Sequence, residues 1–300
     1  MNFLKKFVSF GSKDTRLQDL TSLAFLQSPV ATVLTDDKGT IVNVNNSFTE
    51  LTGYTRVDSI GANMSILKSG EYNNAFYKAF YKKVIQLKKH NIEIKNKCKD
   101  GSIKLFNEYI AEIQCNDTKC YVVTLEDITE QRRLSQRHQY LATHDPLTGL
   151  ANRTLLRDRF DHAILNATRS GEKIAVLMCD LNEFKKLNDN HGHNIGDIAL
   201  QKVAKKLKDC TRVSDTIARL GGDEFILILE QIKDIKEVED IVNLLRIEFP
   251  LSFKTDNKTH EVGMSIGYSC FPEDGTSFEK LTSHADVKMY TEKNLYYGTI

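Results

Sequence analysis

Three hundred residues, 41% of them hydrophobic and 27% charged, with a net charge of +1, suit about two ordinary globular domains and give no support for a nucleic-acid or polyanion binder. The six cysteines (Cys98, Cys115, Cys120, Cys179, Cys210, Cys270) show no CxxC spacing, so neither a zinc site nor a disulfide framework is indicated and a reducing cytosol is expected. No apolar run approaches the ~18 residues of a membrane helix, and the expectation is a cytoplasmic protein with no membrane span.

Met1 to Phe10 sets Phe3, Leu4, Phe7, Val8 and Phe10 around Lys5 and Lys6. It lacks a long apolar core and a small-residue cleavage site, so residues 1–19 read as a leader. Val30 to Thr35 reads as a strand, Asp36-Asp37-Lys38-Gly39 as a turn, and Ile41 to Val44 as the returning strand. Asn46 is placed to cap a helix through Leu51 that Gly53 closes. A longer helix is predicted from about Asn73 to Lys89, with Phe76, Phe80, Val84 and Leu87 at helical spacing. Three strands follow, Ile92 to Lys97, Ile103 to Ile113 and Cys120 to Glu126, the first two joined by Lys99-Asp100-Gly101-Ser102.

Taken in order, Asn45-Asn46-Ser47-Phe48-Thr49-Glu50-Leu51-Thr52-Gly53-Tyr54, Gly61-Ala62-Asn63, Lys99-Asp100-Gly101 and Glu126-Asp127-Ile128-Thr129 resemble a PAS sensor domain, set at residues 20–127. The resemblance implies a five-stranded antiparallel sheet with helices on one face, able to enclose a ligand. That ligand is unknown. Met64 stands where photoreceptor relatives carry a reactive cysteine, which disfavours flavin–cysteine photochemistry. The long helix has no histidine of the haem-binding kind, and His90, just past it, reads as a surface residue. The plain alternative is a dimerisation module with no ligand.

Residues 128–144 are polar, with Leu134 and Leu141 one heptad apart and Ile128 and His138 nearby. This suits a short connecting helix that pairs in a dimer. Asp145 or Thr143 is placed to cap a helix beginning after Pro146. Farther on, Ile174 to Asp180 is a strand-like run ending in an acid. Asp215 to Arg219 and Glu224 to Leu229 read as two strands around a Gly221-Gly222 turn. Two carboxylates at a hairpin tip, with a third closing a buried strand, form a site for a divalent metal carrying a phosphate. The plain alternative is a hairpin with solvated acids. Ile198 to Leu207 (Val203, Ala204 and Leu207 inward) and Val238 to Leu245 read as helices. Val262, Met264, Ile266 and Tyr268 alternate as a strand, Phe271 to Gly275 is a turn, and a last helix starts near Ser277 with Leu281, Ala285 and Met289.

Four ordered segments resemble the GGDEF family of diguanylate cyclases: Asp145-Pro146-Leu147-Thr148-Gly149-Leu150-Ala151-Asn152-Arg153, then Asp180 to Asp189, then His191-Gly192-His193-Asn194-Ile195-Gly196-Asp197, then Gly221-Gly222-Asp223-Glu224-Phe225. The resemblance implies a palm-like α/β domain over residues 145–300, the whole chain being α+β and α/β. It also implies condensation of two GTP into cyclic di-GMP, with Mg²⁺ or Mn²⁺ as cofactor and a homodimer as the active form. Asp180 and Asp223 are the expected metal ligands, joined by the Leu181 carbonyl. Glu224 either assists the metals or deprotonates the attacking hydroxyl. Backbone N–H groups at Glu183 and Phe184 are expected to face the phosphates, with Lys185 and Lys293 as cations and Gly221 and Gly222 admitting the nucleotide.

By the family pattern Asn188 and Asp197 read guanine, against a plain reading of both as helix caps. His191 and His193 shape the base pocket and are not metal ligands. Arg212 and Asp215 match an RxxD site that binds cyclic di-GMP as inhibitor, against a plain surface salt bridge. Two departures stand out: Asn182 replaces a common Asp, and Tyr297 replaces a basic residue expected to reach the triphosphate. The rival functional readings are a receptor for GTP or cyclic di-GMP and the regulatory front half of a longer phosphodiesterase.

Overall fold

The computed structural model describes residues 15–115, 118–255 and 258–298; the segment Met1 to Phe10, read as part of a leader, lies outside them. The chain divides into two compact units between Ser135 and Gln136.

The N-terminal unit begins with α1 (Thr15–Leu26) and builds one antiparallel sheet in the order β2-β1-β5-β4-β3. These strands are β1 (Ala31–Asp36), β2 (Ile41–Val44), β3 (Lys89–Lys97), β4 (Ile103–Cys115) and β5 (Thr118–Asp127). Between β2 and β3 lie α2 (Asn46–Thr52), α3 (Arg56–Ser59), a 3₁₀ turn (Met64–Leu67) and α4 (Asn74–Leu87). Val33, Ile41, Phe48, Phe80, Phe106 and Val123 are core residues of this unit.

The cap of α2 is Asn45, not Asn46. The Asn45 Oδ1 accepts from Phe48 N at 3.0 Å and Thr32 N at 2.9 Å, and its Nδ2 donates to Val30 O at 2.7 Å. A fully buried amide is tolerable because it is bonded on both sides. The α4 face also differs from expectation. Tyr77, Phe80 and Val84 are buried, while Leu87 is exposed. His90 lies within β3, half-buried, with its ring 5.9 Å from Phe80.

Helix α5 (Thr129–Thr143) buries none of its side chains. The C-terminal unit then forms α6 (Arg153–Ser170), β6 (Lys173–Asn182), α7 (Phe184–His191), α8 (His193–Cys210), β7 (Thr216–Gly221), β8 (Glu224–Ile232), α9 (Ile235–Glu248), β9 (Leu251–Thr255), β10 (Lys258–Phe271) and α10 (Phe278–Tyr297). Its strands pair antiparallel in the order β7-β8-β6-β10-β9.

Central strand β6 is buried on both faces, which is why it reads as an unbroken apolar run. Ile174, Val176 and Met178 pack with α6 and α10, whereas Ala175, Leu177, Cys179 and Leu181 pack with α8 and α9. By this alternation Asp180 belongs to the α10 side. Gly267 of β10 lets α10 come close, since a Cβ there would lie 2.0 Å from the Ala285 carbonyl oxygen. The helix expected directly after Pro146 instead begins at Arg153. Its cap is Asn152, whose Oδ1 accepts from Thr154 N and Leu155 N at 2.9 and 3.1 Å.

Candidate active site

The β7–β8 hairpin closes on the pair Gly221 and Glu224. Gly221 and Gly222 have φ of 151° and 53°, a backbone that side-chain-bearing residues adopt at a cost. The tip is tied to β6 by Leu181 N donating to the Asp223 carbonyl oxygen at 3.3 Å. Asp180 pairs in register with Glu224 on one side and Ser265 on the other. Sequence-distant carboxylates therefore meet at one sheet end: Asp180 is 7% exposed, Asp223 half-buried and Glu224 exposed.

Lys293 reaches Asp180 from α10, with Nζ 2.5 Å from Oδ1. Burial pushes the Asp180 carboxyl above its ordinary range; the Lys293 ammonium opposes this, and the fields of Asp223 and Asp286 add to it. For Lys293, burial is outweighed by its bond to Asp180 and the field of Asp223, which hold it above the usual lysine value. Repelling, partly desolvated carboxylates beside a backbone carbonyl are a hard-oxygen donor set that suits a divalent cation. Among the described residues no three His, Cys, Asp or Glu side chains cluster tightly enough to hold a metal by themselves. Asn182, the departure from the family pattern, accepts from the Ser265 hydroxyl at 2.8 Å, a bond between β6 and β10.

Helix α7 starts after Glu183, whose φ of 58° is left-handed and whose side chain pairs with Lys186 instead of capping. The Glu183 N–H, expected to face phosphate, already has a partner in this structure. It donates to the Tyr297 hydroxyl at 3.1 Å. The substituted Tyr297 thus stands over the start of α7, and its proximity is felt by both Lys186 and Lys293. Phe184 is buried under the helix, and Lys185 is exposed.

Neither Asn188 nor Asp197 caps a helix. Asn188 lies inside α7, with a buried Oδ1 that has no hydrogen-bond partner. That oxygen abuts Gly196, where a Cβ would sit 1.9 Å away. Asp197, the next residue, is exposed on α8. An orphaned buried carbonyl beside an exposed carboxylate is what a planar donor-rich edge would satisfy. His191 packs edge-on against His260 at 4.6 Å.

Asp145 has a role that sequence reasoning missed. Its Oδ1 accepts from Thr148 N at 2.8 Å and Thr148 Oγ1 at 2.6 Å, and both its oxygens meet Arg219 Nη1 at 3.1 and 3.2 Å. Arg219 in turn donates from Nε and Nη2 to the Gly222 carbonyl at 3.0 and 2.8 Å. This explains part of the Asp145 to Arg153 motif: it braces the hairpin tip. Burial acts to raise the Asp145 carboxyl, but the bonds from Thr148 and Arg219 prevail and hold it low.

Arg212 and Asp215 line a separate cavity of about 430 Å³ with Arg159, Lys208 and Glu230. They are joined through Arg212 N, which donates to Asp215 Oδ2 at 2.8 Å, while the guanidinium pairs with Glu237 at 2.5 Å.

A family model described as "Diguanylate cyclase, GGDEF domain" matches residues 142–296, just over half the chain. The chain belongs to the GGDEF family. A PAS domain model matches residues 29–130, so this GGDEF protein carries a PAS region as well. Two curated relatives are similar to it. The bifunctional diguanylate cyclase/cyclic di-GMP phosphodiesterase MucR of Pseudomonas aeruginosa is 37% identical over 166 residues, covering 55% of this chain and 24% of MucR. The cyclic di-GMP phosphodiesterase PdeR of Escherichia coli is 29% identical over 272 residues, covering 88% of this chain and 40% of PdeR. The coiled coil and GGDEF domain of DgcB from Caulobacter crescentus, solved with c-di-GMP, matches with a TM-score of 0.50 and 26% identity over 56% of this chain and 88% of that one. The chain spans between about a sixth and two fifths of the length of curated relatives it matches. No helix among the described residues is long and apolar enough to cross a membrane.

Proposed function

We propose that this chain is a cytoplasmic, sensor-regulated diguanylate cyclase that condenses two GTP into cyclic di-GMP and two pyrophosphates. The observation that carries this reading is the buried Asp180 beside Asp223 at an intact Gly-Gly-Asp-Glu-Phe hairpin, with Lys293 from α10 on its carboxylate. In the proposal Asp180, Asp223 and the Leu181 carbonyl hold Mg²⁺ or Mn²⁺, and the ions neutralise charge on the attacking and leaving oxygens. Asn188 and Asp197 take the guanine edge. Lys185, Lys293 and the N–H groups at Glu183 and Phe184 take the triphosphate, the first N–H after Tyr297 yields it. Gly221 and Gly222 leave room for the nucleotide, and Glu224 faces the reacting hydroxyl as base or metal helper.

Each catalytic domain holds one GTP, so product needs two domains face to face. Residues 20–127 and the connecting helix at 128–144 raise the effective concentration of residues 145–300 by pairing. Arg212 and Asp215 form the product site: an arginine fork can grip a phosphate or guanine and a carboxylate can accept guanine N–H groups.

The test is incubation of purified protein with GTP and Mg²⁺, reading cyclic di-GMP by chromatography, beside Asp180→Asn and Asp223→Asn. Loss of product in folded variants is expected; a folded double variant with wild-type activity overturns the assignment. The second reading, a nucleotide receptor fronting a phosphodiesterase, is favoured by Tyr297 on the Glu183 N–H and by the PdeR likeness. GTP binding at equilibrium without any product identifies it.

A further inference from the structure

The N-terminal unit holds a partly open cavity of about 470 Å³ between its sheet and α4. Several buried polar groups line it, and three of them matter here. Glu108 of β4 is 5% exposed, Asn96 of β3 is 4% exposed and Tyr77 of α4 is 7% exposed. Phe106 and Ile110, two residues to either side of Glu108, are core residues. The strand's alternation therefore forces a carboxylate into a position that packing alone fills with an apolar side chain. Asn96 Nδ2 donates to Glu108 Oε1 at 2.5 Å. The Tyr77 hydroxyl is buried with no hydrogen-bond partner.

We propose that this cavity is a binding site for a small organic cation, an aliphatic or aromatic amine whose ammonium pairs with Glu108 and bonds the Tyr77 hydroxyl while its apolar body fills the space beneath α4. Burying a carboxylate and leaving a phenol unpaired are both unfavourable, and one ammonium relieves both. Tyr77, Phe80, Tyr81 and Tyr121 line the cavity and offer ring faces to a cation. Tyr77 already shows this affinity, since the Lys68 ammonium lies 4.1 Å from its ring centroid. An anion is disfavoured by Glu108. A neutral molecule brings no charge to offset the burial that raises this carboxyl to about 7, with only the Asn96 bond opposing.

The other titratable groups around the cavity do not confuse the signal. Burial holds the phenols of Tyr77 and Tyr81 on α4 and Tyr121 on β5 above their usual value, so they stay protonated at neutral pH. Asp37, Lys38 and Lys68 stand at the exposed rim. This site is independent of the cyclase reading.

Titration calorimetry of the intact chain with 2-phenylethylamine, 2-phenylethanol and phenylacetate tests it. Saturable millimolar or tighter binding of the amine is expected, at least about tenfold tighter than the alcohol, with no binding of phenylacetate. Amine affinity falls about tenfold per pH unit below the Glu108 pKa, because the bound form needs the carboxylate. Glu108→Gln removes the preference for amine over alcohol; Tyr77→Phe keeps the carboxylate and weakens binding by several-fold. Equal affinity for amine and alcohol, a full amine preference in Glu108→Gln, tighter binding of phenylacetate or no binding of the amine each overturns the proposal.

Discussion

Replacing Asp145 by Asn tests whether the hairpin tip is held from outside. The amide can still accept from Thr148, but the charge that faces Arg219 is gone. Asp145 and Arg219 side chains are 17% and 11% exposed, so little water replaces the lost carboxylate. A fully buried pair broken on one side loses about 3–5 kcal/mol, and a charge-assisted hydrogen bond contributes about 1.5–3. For this mostly buried pair about 2 kcal/mol is expected, which in a unit of this size lowers Tm by roughly 4–8 °C. The effect on rate comes from geometry. Arg219 holds the Gly222 carbonyl with two bonds, one residue before Asp223. Slackening by a fraction of an ångström lowers kcat roughly 10–100-fold with little change in KM for GTP. Calorimetry and single-turnover product formation on the same preparation separate the effects. A normal Tm refutes the energetic reasoning; a lowered Tm with unchanged kcat refutes the bracing of the tip.

Tyr297→Phe frees the Glu183 N–H and Tyr297→Arg adds a cation; both are expected to lower KM for GTP, the arginine by up to about tenfold for one charge-assisted phosphate contact, and an unchanged KM in both places the triphosphate elsewhere. Gly196→Ala drives a Cβ into Asn188 Oδ1, so guanine nucleotide affinity falls while the melting curve shifts little, and preserved affinity removes Asn188 from the base pocket. Arg212→Ala leaves the uninhibited rate intact and raises the plateau of cyclic di-GMP in progress curves; identical plateaus show a motif without control. The raised Glu108 carboxyl, about 7 against an ordinary 4.5, binds its proton more tightly folded than unfolded, so stability is full below the ordinary value and is lost as pH rises towards 7. The N-terminal unit loses roughly 2–3 kcal/mol between about pH 5 and pH 8, measurable by denaturant titration, and Glu108→Gln abolishes the slope.

Local rules carried much of this protein in its sequence. Alternation and helical spacing sufficed for β6, β8, β10, α8 and α9, because each is long and amphipathic or wholly apolar. Gly221-Gly222 marked the hairpin because few other residues adopt its backbone. Caps were harder: Asn45 and Asn152, rather than Asn46 and Asp145, close the helix starts, since both members of each pair carry a capping side chain and only the loop geometry chooses. Four features needed the tertiary structure: the Asp145–Arg219–Gly222 brace, Tyr297 on Glu183, Asn188 against Gly196, and the Lys293 bond to Asp180. Most link residues far apart in the chain, and all depend on how helices seat on sheets. Glu108 is the intermediate case. Its place between Phe106 and Ile110 already pointed it inward, but that it borders a cavity and not a filled core follows from the packing of α4 over the sheet.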